Sequence, residues 1–224
     1  MENVRGFTWV STERLFDAAR ALTAAIANNV PGDWLETGTW KGGTSMVAAA
    51  ASREARIPGT PLRRIFLADS FEGLPPPSGA DLLSSTNVGK PMDPPGSYGG
   101  YGGVNFVKET MREQGLLSSE VSFLVGWFNE TIPKVAGNLI KRLAVLRLDG
   151  DMYESTMVVL DNMYPLVSIG GYVIIDDYGH WPQCKLAVDD YFAKQGISPT
   201  LYESDYTGRW FRKGLADVGI LRKI

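Results

Sequence analysis

Residues 143–151 read LAVLRLDGD and residues 171–177 read GYVIIDD, and these two stretches decide the fold. Each is a short apolar run rich in strand-forming residues, and each ends on aspartates, Asp149 and Asp151 in the first, Asp176 and Asp177 in the second. Between them, Ser155 to Met163 has helical spacing, so the block reads strand, helix, strand. In an open α/β sheet the carboxyl ends of the strands border the ligand crevice, and two acidic strand ends can converge there on one hard cation. Oxygen-only ligands favour Mg²⁺, Ca²⁺ or Mn²⁺ over zinc. The bland alternatives are an Asp-Gly turn at Asp149 to Asp151 and a polar turn or helix start at Asp176-Asp177. Joint occurrence at neighbouring strand ends favours the metal.

The same alternation extends towards the N-terminus. Thr12 to Asn28 carries Leu15, Ala18, Ala19, Leu22, Ala25 and Ile26 at helical spacing, with Ser11 or Thr12 placed to cap it. Pro31-Gly32 breaks that helix, and Asp33 to Glu36 leads into Thr37-Gly38-Thr39-Trp40-Lys41-Gly42-Gly43 and an alanine-rich helix from Thr44 to about Ala55. Arg64 to Ala68 is a second strand ending at Asp69-Ser70, and Val121 to Val125 a third ending at Gly126-Trp127. Helices are expected over Val104 to Gln114, Thr131 to Leu139 and Gln183 to Lys194, and a hairpin between Thr200 and Arg212. Residues 71–103 are too rich in proline and glycine for regular structure, and read as a lid-like insertion over the site or as a surface insert. Strands alternating with helices predict an α/β fold with a mainly parallel sheet covered on both faces.

Composition narrows the class. A chain of 224 residues, 44% of them hydrophobic, is long enough for one α/β domain and too short for two large ones, so residues 1–224 are expected to form a single domain. A formal charge of −3 with both signs interspersed offers no basic stripe to a nucleic acid. The single cysteine, Cys184, allows no internal disulfide and reads as a small buried side chain. The opening MENVRGFTWV lacks the basic and apolar regions of a signal peptide, and no apolar run reaches membrane-spanning length. A soluble, cytoplasmic protein with no membrane and no nucleic-acid partner is the expectation.

The turn at Glu36 to Gly43 has the parts of a cofactor site: glycines that admit close backbone approach, and a helix N-terminus with unpaired N–H groups. It matches neither GxGxxG nor a phosphate-binding P-loop. Asp69, at the next strand end, stands where a carboxylate accepts hydrogen bonds from ribose hydroxyls. Trp127, at the third, could pack on an adenine ring. A ligand-free tight turn, a helix-capping Asp69 and a core tryptophan are the alternatives. His180, just beyond the aspartate pair, reads equally as a substrate contact or a loop histidine.

LETGTWKGGTS (35–45), LADSFEGLP (67–75), GWFNETIP (126–133), LRLDGDMYEST (146–156), GGYVIIDDYG (170–179) and AVDDYF (187–192) together resemble the macrocin O-methyltransferase (TylF) family, over about residues 29–213. The resemblance implies a Rossmann-like class I methyltransferase fold with a C-terminal antiparallel strand. It also implies a Mg²⁺-dependent enzyme that methylates sugar hydroxyls of glycosylated antibiotics with S-adenosylmethionine. On the family's pattern, Glu36, Thr37 and Gly38 border the S-adenosylmethionine site with Ser45 nearby. Asp69 and Ser70 hold the ribose, and Gly126, Trp127 and Phe128 surround the adenine. Asp149, Asp176 and Asp177 are the metal ligands and Asp151 the general base. A homodimer is implied too, the N-terminal helical segment (about 1–30) packing on a second subunit through a patch that would include Val4, Phe7 and Trp9. A catechol or other vicinal-diol acceptor, and a non-catalytic protein that only binds S-adenosylmethionine, are the alternative readings.

Overall fold

The computed structural model describes residues 2–82 and 93–214. Among these residues seven strands form one sheet: β1 (Asp33–Thr37), β2 (Ile65–Asp69), β3 (Val121–Val125), β4 (Leu143–Leu148), β5 (Val167–Ile175), β6 (Tyr202–Glu203) and β7 (Arg209–Arg212). Their order is β3-β2-β1-β4-β5-β7-β6. The first five run parallel, and β7 pairs antiparallel with both β5 and β6. The expected mainly parallel sheet with a C-terminal hairpin is therefore present.

The strands bury both faces, as continuous apolar runs such as Leu143 to Leu146 require. Because side chains alternate along a strand, Trp34, Ile65, Leu67, Val145 and Ile174 pack to one side. There they meet α1 (Thr12–Ala27), α2 (Gly43–Glu54) and α3 (Gly103–Glu113). Leu35, Phe66, Leu146, Val173 and Ile175 pack to the other, against α4 (Phe128–Val135), α5 (Tyr153–Met163) and α6 (Pro182–Gln195). Ser11 caps α1, its Oγ accepting the Arg14 N–H at 3.2 Å. The remaining N-terminal residues form a 3₁₀ turn, Glu2–Phe7, which packs on α2.

Three expectations shift. The helix expected over 131–139 starts at Phe128 instead, leaving Pro133 inside it. Strand β5 begins at Val167, four residues before the expected Gly171 and across a register shift against β4. Val4 and Phe7 pack into the chain's own core, with Val4 buried and Phe7 against Phe106; of the patch expected to face a partner, Trp9 alone is largely exposed, at 75%. The described parts of the 71–103 insertion are clasped together at their base, since Leu74 N–H donates to Ser97 O and Gly96 N–H to Leu74 O. Residues 83–92 of that insertion lie outside the described residues.

Candidate active site

The strand order reverses direction of growth between β1 and β4, and ligands bind at such a switch point, beyond the carboxyl ends of the strands. A cavity of about 260 Å³ opens there. Its lining draws on every strand end that the sequence marked: Glu36 and Gly38 at the end of β1, Asp69 and Ser70 at the end of β2, Trp127 and Phe128 after β3, Asp149 and Asp151 after β4, and Asp176 and Asp177 after β5. Thr37, Ser45 and Gly126 stand behind this wall. The Thr37 hydroxyl donates to the Arg147 carbonyl at 3.2 Å, the Ser45 hydroxyl donates to Glu36, and Gly126 N–H donates to the Asp69 carbonyl at 2.9 Å.

Asp69 organises the glycine turn. Its Oδ2 accepts the N–H groups of Thr39 and Trp40 at 2.7 and 2.9 Å, and its Oδ1 accepts Phe71 N–H at 2.7 Å. A carboxylate has about four acceptor positions, so about one remains for a ligand. Burial raises the Asp69 pKa, against the lowering effect of those N–H donors. Gly38 is dictated by packing: its φ is +87°, and a Cβ there would lie 1.6 Å from the Asp149 carbonyl oxygen. Strand ends β1 and β4 therefore meet more closely than any side chain permits.

Asp149, Asp151 and Asp177 bring carboxylate oxygens within 4.8 Å of one another. Asp177 Oδ2 is buried with no hydrogen-bond partner among the described residues. A buried anionic oxygen without a donor costs free energy, and three carboxylates this close repel unless protons or a cation intervene. Burial first, then the charge of Asp149, holds Asp151 up at about 7. Burial and the neighbouring Asp151 hold Asp177 well above the usual carboxylate range. Asp151 also has a φ of +58°, a left-handed conformation that is costly for a residue other than glycine and recurs at functional sites. An oxygen-only donor set with one orphaned atom fits a hard divalent cation such as Mg²⁺.

Asp176, expected beside Asp177 on the cation, lies between two guanidinium groups. Arg14 from α1 and Arg147 from β4 each donate to one of its carboxylate oxygens. Arg147 is 1% exposed and also donates to Glu36 and Asp149, at 2.7 and 2.6 Å. Burial raises Glu36 to about 7 despite Arg147 and Ser45, and Asp176 to about 6 despite both arginines. Arg14 continues to Asp205 at 2.9 Å, and Asp205 in turn accepts the Ser11 hydroxyl at 2.7 Å. One ionic network thus ties α1, β1, β4, β5 and the β6–β7 turn to the cavity floor. Neither arginine was singled out from the sequence, although Arg147 is visible there as the lone charge inside LAVLRL.

The rim is aromatic. Trp9 meets Trp40 and Tyr98 edge-on, with ring centroids 5.6 and 6.3 Å away, and Tyr101 donates to the Trp40 carbonyl at 2.6 Å. His180 lines the cavity with its Nδ1 3.2 Å from the Tyr206 hydroxyl. Cys184 is buried in α6, as expected, and burial raises its thiol pKa.

Comparison with known proteins agrees with this architecture. The model of the macrocin-O-methyltransferase (TylF) family matches residues 3–213. A Streptomyces olivaceus 8-demethyl-8-(2,3-dimethoxy-alpha-L-rhamnosyl)-tetracenomycin-C 4'-O-methyltransferase is 41% identical over 220 residues, covering 96% of this chain and 78% of that protein. Demethyldecarbamoylnovobiocin O-methyltransferase of Streptomyces niveus is 39% identical over 208 residues, 92% of this chain and 75% of that protein. Among solved structures, the O-methyltransferase NovP superposes with a TM-score of 0.80 at 37% identity, over 92% of this chain and 81% of that one. With its sheet order, its strand-end cavity and these relatives, the chain belongs to the macrocin O-methyltransferase family and is an O-methyltransferase of Rossmann-like class I fold.

Proposed function

We propose that the protein methylates a sugar hydroxyl of a glycosylated natural product, using S-adenosylmethionine and a Mg²⁺ ion held at the acidic floor of the cavity. The acceptor class rests on the relatives, which are named for a rhamnosyl tetracenomycin C, for demethyldecarbamoylnovobiocin and for mycinamicin III. The observation that carries the cation is the Asp149, Asp151 and Asp177 cluster with its orphaned oxygen. S-adenosylmethionine supplies a methyl group on a sulfonium leaving group. Mg²⁺ supplies Lewis-acid polarisation that lowers the pKa of an acceptor hydroxyl.

The chain's own residues do the rest. Glu36, Gly38, Asp69 and Ser70 shape the pocket wall that receives the cofactor, with the remaining acceptor position of Asp69 for a ribose hydroxyl. Trp127 and Phe128, both in the cavity lining, are the aromatic residues for the adenine. Thr37, Ser45 and Gly126 support that wall from behind. Asp149 and Asp177 are the cation ligands shared by the family pattern and by this geometry. Asp151, beside them, takes the hydroxyl proton on a carboxylate oxygen as the oxygen–methyl bond forms. Asp176 would join the ligands by exchanging its contact with Arg14 for the cation. Alignment of acceptor and cofactor in a shared cavity is the larger contribution, worth about 7 to 11 kcal/mol in favourable cases. A homodimer and a cytoplasmic location, where the cofactor is made, complete the proposal; gel filtration with light scattering tests the first.

The test is methyl transfer from S-adenosylmethionine to a panel of deoxysugar glycosides and catechols, each with Mg²⁺ and with EDTA. Turnover of glycosides that EDTA abolishes is expected, and Asp151→Asn should lower kcat by about 10² to 10⁴-fold. Turnover of catechols alone would move the acceptor class, and turnover indifferent to EDTA would remove the cation.

A further inference from the structure

Asp81 is a carboxylate outside the cavity lining, 1% exposed, at the end of the first described limb of the 71–103 insertion. Its Oδ1 accepts the Tyr153 N–H at 2.6 Å and its Oδ2 accepts the Ser78 N–H at 3.4 Å. Its main-chain carbonyl accepts Gln183 Nε2 at 3.5 Å. Tyr153 is the first residue of α5, and Gln183 the second of α6. These are the two helices that follow the two acidic strand ends. One residue of the insertion therefore holds the starts of both.

The capping is unusual in its source. The first N–H groups of a helix have no partner within it and are normally met by the side chain just before. In α5 that neighbour is Met152, which has no capping group, and the acceptor comes instead from a residue 72 positions away. Asp151 lies two residues before Tyr153 and holds the left-handed φ of +58°. A strained residue keeps its conformation only when its surroundings over-determine it. On one side Asp149 N–H is tied to the Thr37 carbonyl at 2.8 Å; on the other, the Asp81 contact fixes the chain at Tyr153.

We infer that Asp81 is a positioning residue for the acidic centre, setting the 149–152 turn and hence the Asp151 carboxylate through the starts of α5 and α6. Its metal readout rests on the cation reading given above; its backbone readout does not. Four variants of the full chain separate a positioning role from a merely stabilising one. Asp81→Ala removes the acceptor, and Asp81→Asn keeps an oxygen that caps helices equally well. Tyr153→Pro removes the N–H donor together with the side chain, whose hydroxyl donates to Asp190 at 3.1 Å, and leaves the helix start tolerable, since proline suits the first helical position and Met152, at φ −92° and ψ 157°, already has the extended conformation required before proline. Tyr153→Ala keeps the donor and controls for the side chain.

The measurements are Mn²⁺ affinity by titration and amide hydrogen exchange over residues 149–156, both below the melting temperature of each variant. Asp81→Ala and Tyr153→Pro should each weaken Mn²⁺ binding by about ten-fold or more, as loss of a group supporting metal ligands does, and speed exchange in the 149–156 segment. Asp81→Asn and Tyr153→Ala should match the parent chain. Unchanged Mn²⁺ affinity and exchange in Asp81→Ala and Tyr153→Pro would overturn the inference, and if Asp81→Ala does not fold, Tyr153→Pro decides alone. A parent chain that binds no Mn²⁺ would remove the cation reading, and the exchange rates would then decide the role of Asp81.

Discussion

Arg147 shows how one buried charge organises a site. It is surrounded by Glu36, Asp149 and Asp176, and the mutual attraction offsets a desolvation cost that would otherwise expel it from a central strand. The unbranched, uncharged replacement Arg147→Met leaves buried Glu36 without its cation and Asp176 with Arg14 alone, and destabilisation of about 3 to 5 kcal/mol is expected in denaturant unfolding. A variant as stable as the parent would mean that the buried ion pairs contribute no net stability. The neighbouring aspartates should behave differently from each other. Asp177→Asn is expected to abolish Mg²⁺-dependent methylation while S-adenosylhomocysteine, titrated calorimetrically, still binds. Asp176→Asn is expected to lower the melting temperature first, because it loosens Arg14 and Arg147. The reverse pattern would make Asp176 the stronger ligand. Arg147 was legible as a charge that a buried strand has no reason to carry without partners. Arg14 was not, because on a helix its spacing is that of any solvent-facing residue, and its partner Asp176 lies 162 positions away.

At the level of elements, sequence spacing located strands β3 and β4 to the residue, since their apolar runs end abruptly in glycine or aspartate. Helix α4 starts before the expected Thr131, because Phe128 and Ile132 pack on the sheet one turn apart and carry the helix upstream of Pro133. Strand β5 reaches four residues further back than the expected Gly171, because the chain continues through an irregularity at Gly170, at φ +82°, to pair Val167 with Leu143. The junction of β1 with β4 carries the sharpest steric demand. Gly38→Ala would place a methyl group against the Asp149 carbonyl, in a backbone conformation that L side chains rarely adopt. A loss of at least about 2 kcal/mol in stability is expected, together with weaker metal binding as Asp149 shifts. Wild-type melting in that variant would show that the two strand ends can separate.

For the whole molecule, the cavity floor stores unfavourable charge. Glu36 and Asp151 sit at about 7 and Asp176 at about 6, all raised chiefly by burial, so the folded chain binds more protons than the unfolded one between about pH 4 and about pH 7. Their contribution to stability is fully present below the unfolded values near 4, and is lost as pH rises through the folded values. A cation that binds the ionised, folded site should restore it. Added Mg²⁺ is therefore expected to raise the melting temperature more at about pH 8 than at about pH 5; an equal shift at both would sink the linkage. By itself the sequence determined the α/β class, the sheet's alternation of strand and helix, and the identity of the acidic residues, because these depend on local periodicity and on which residues end each strand. Tertiary structure alone decided how the acids divide: Asp176 is held by Arg14 and Arg147, Arg147 also reaching Asp149, while Asp177 joins Asp149 and Asp151, because partners so far apart in sequence meet only once the sheet and α1 have packed together.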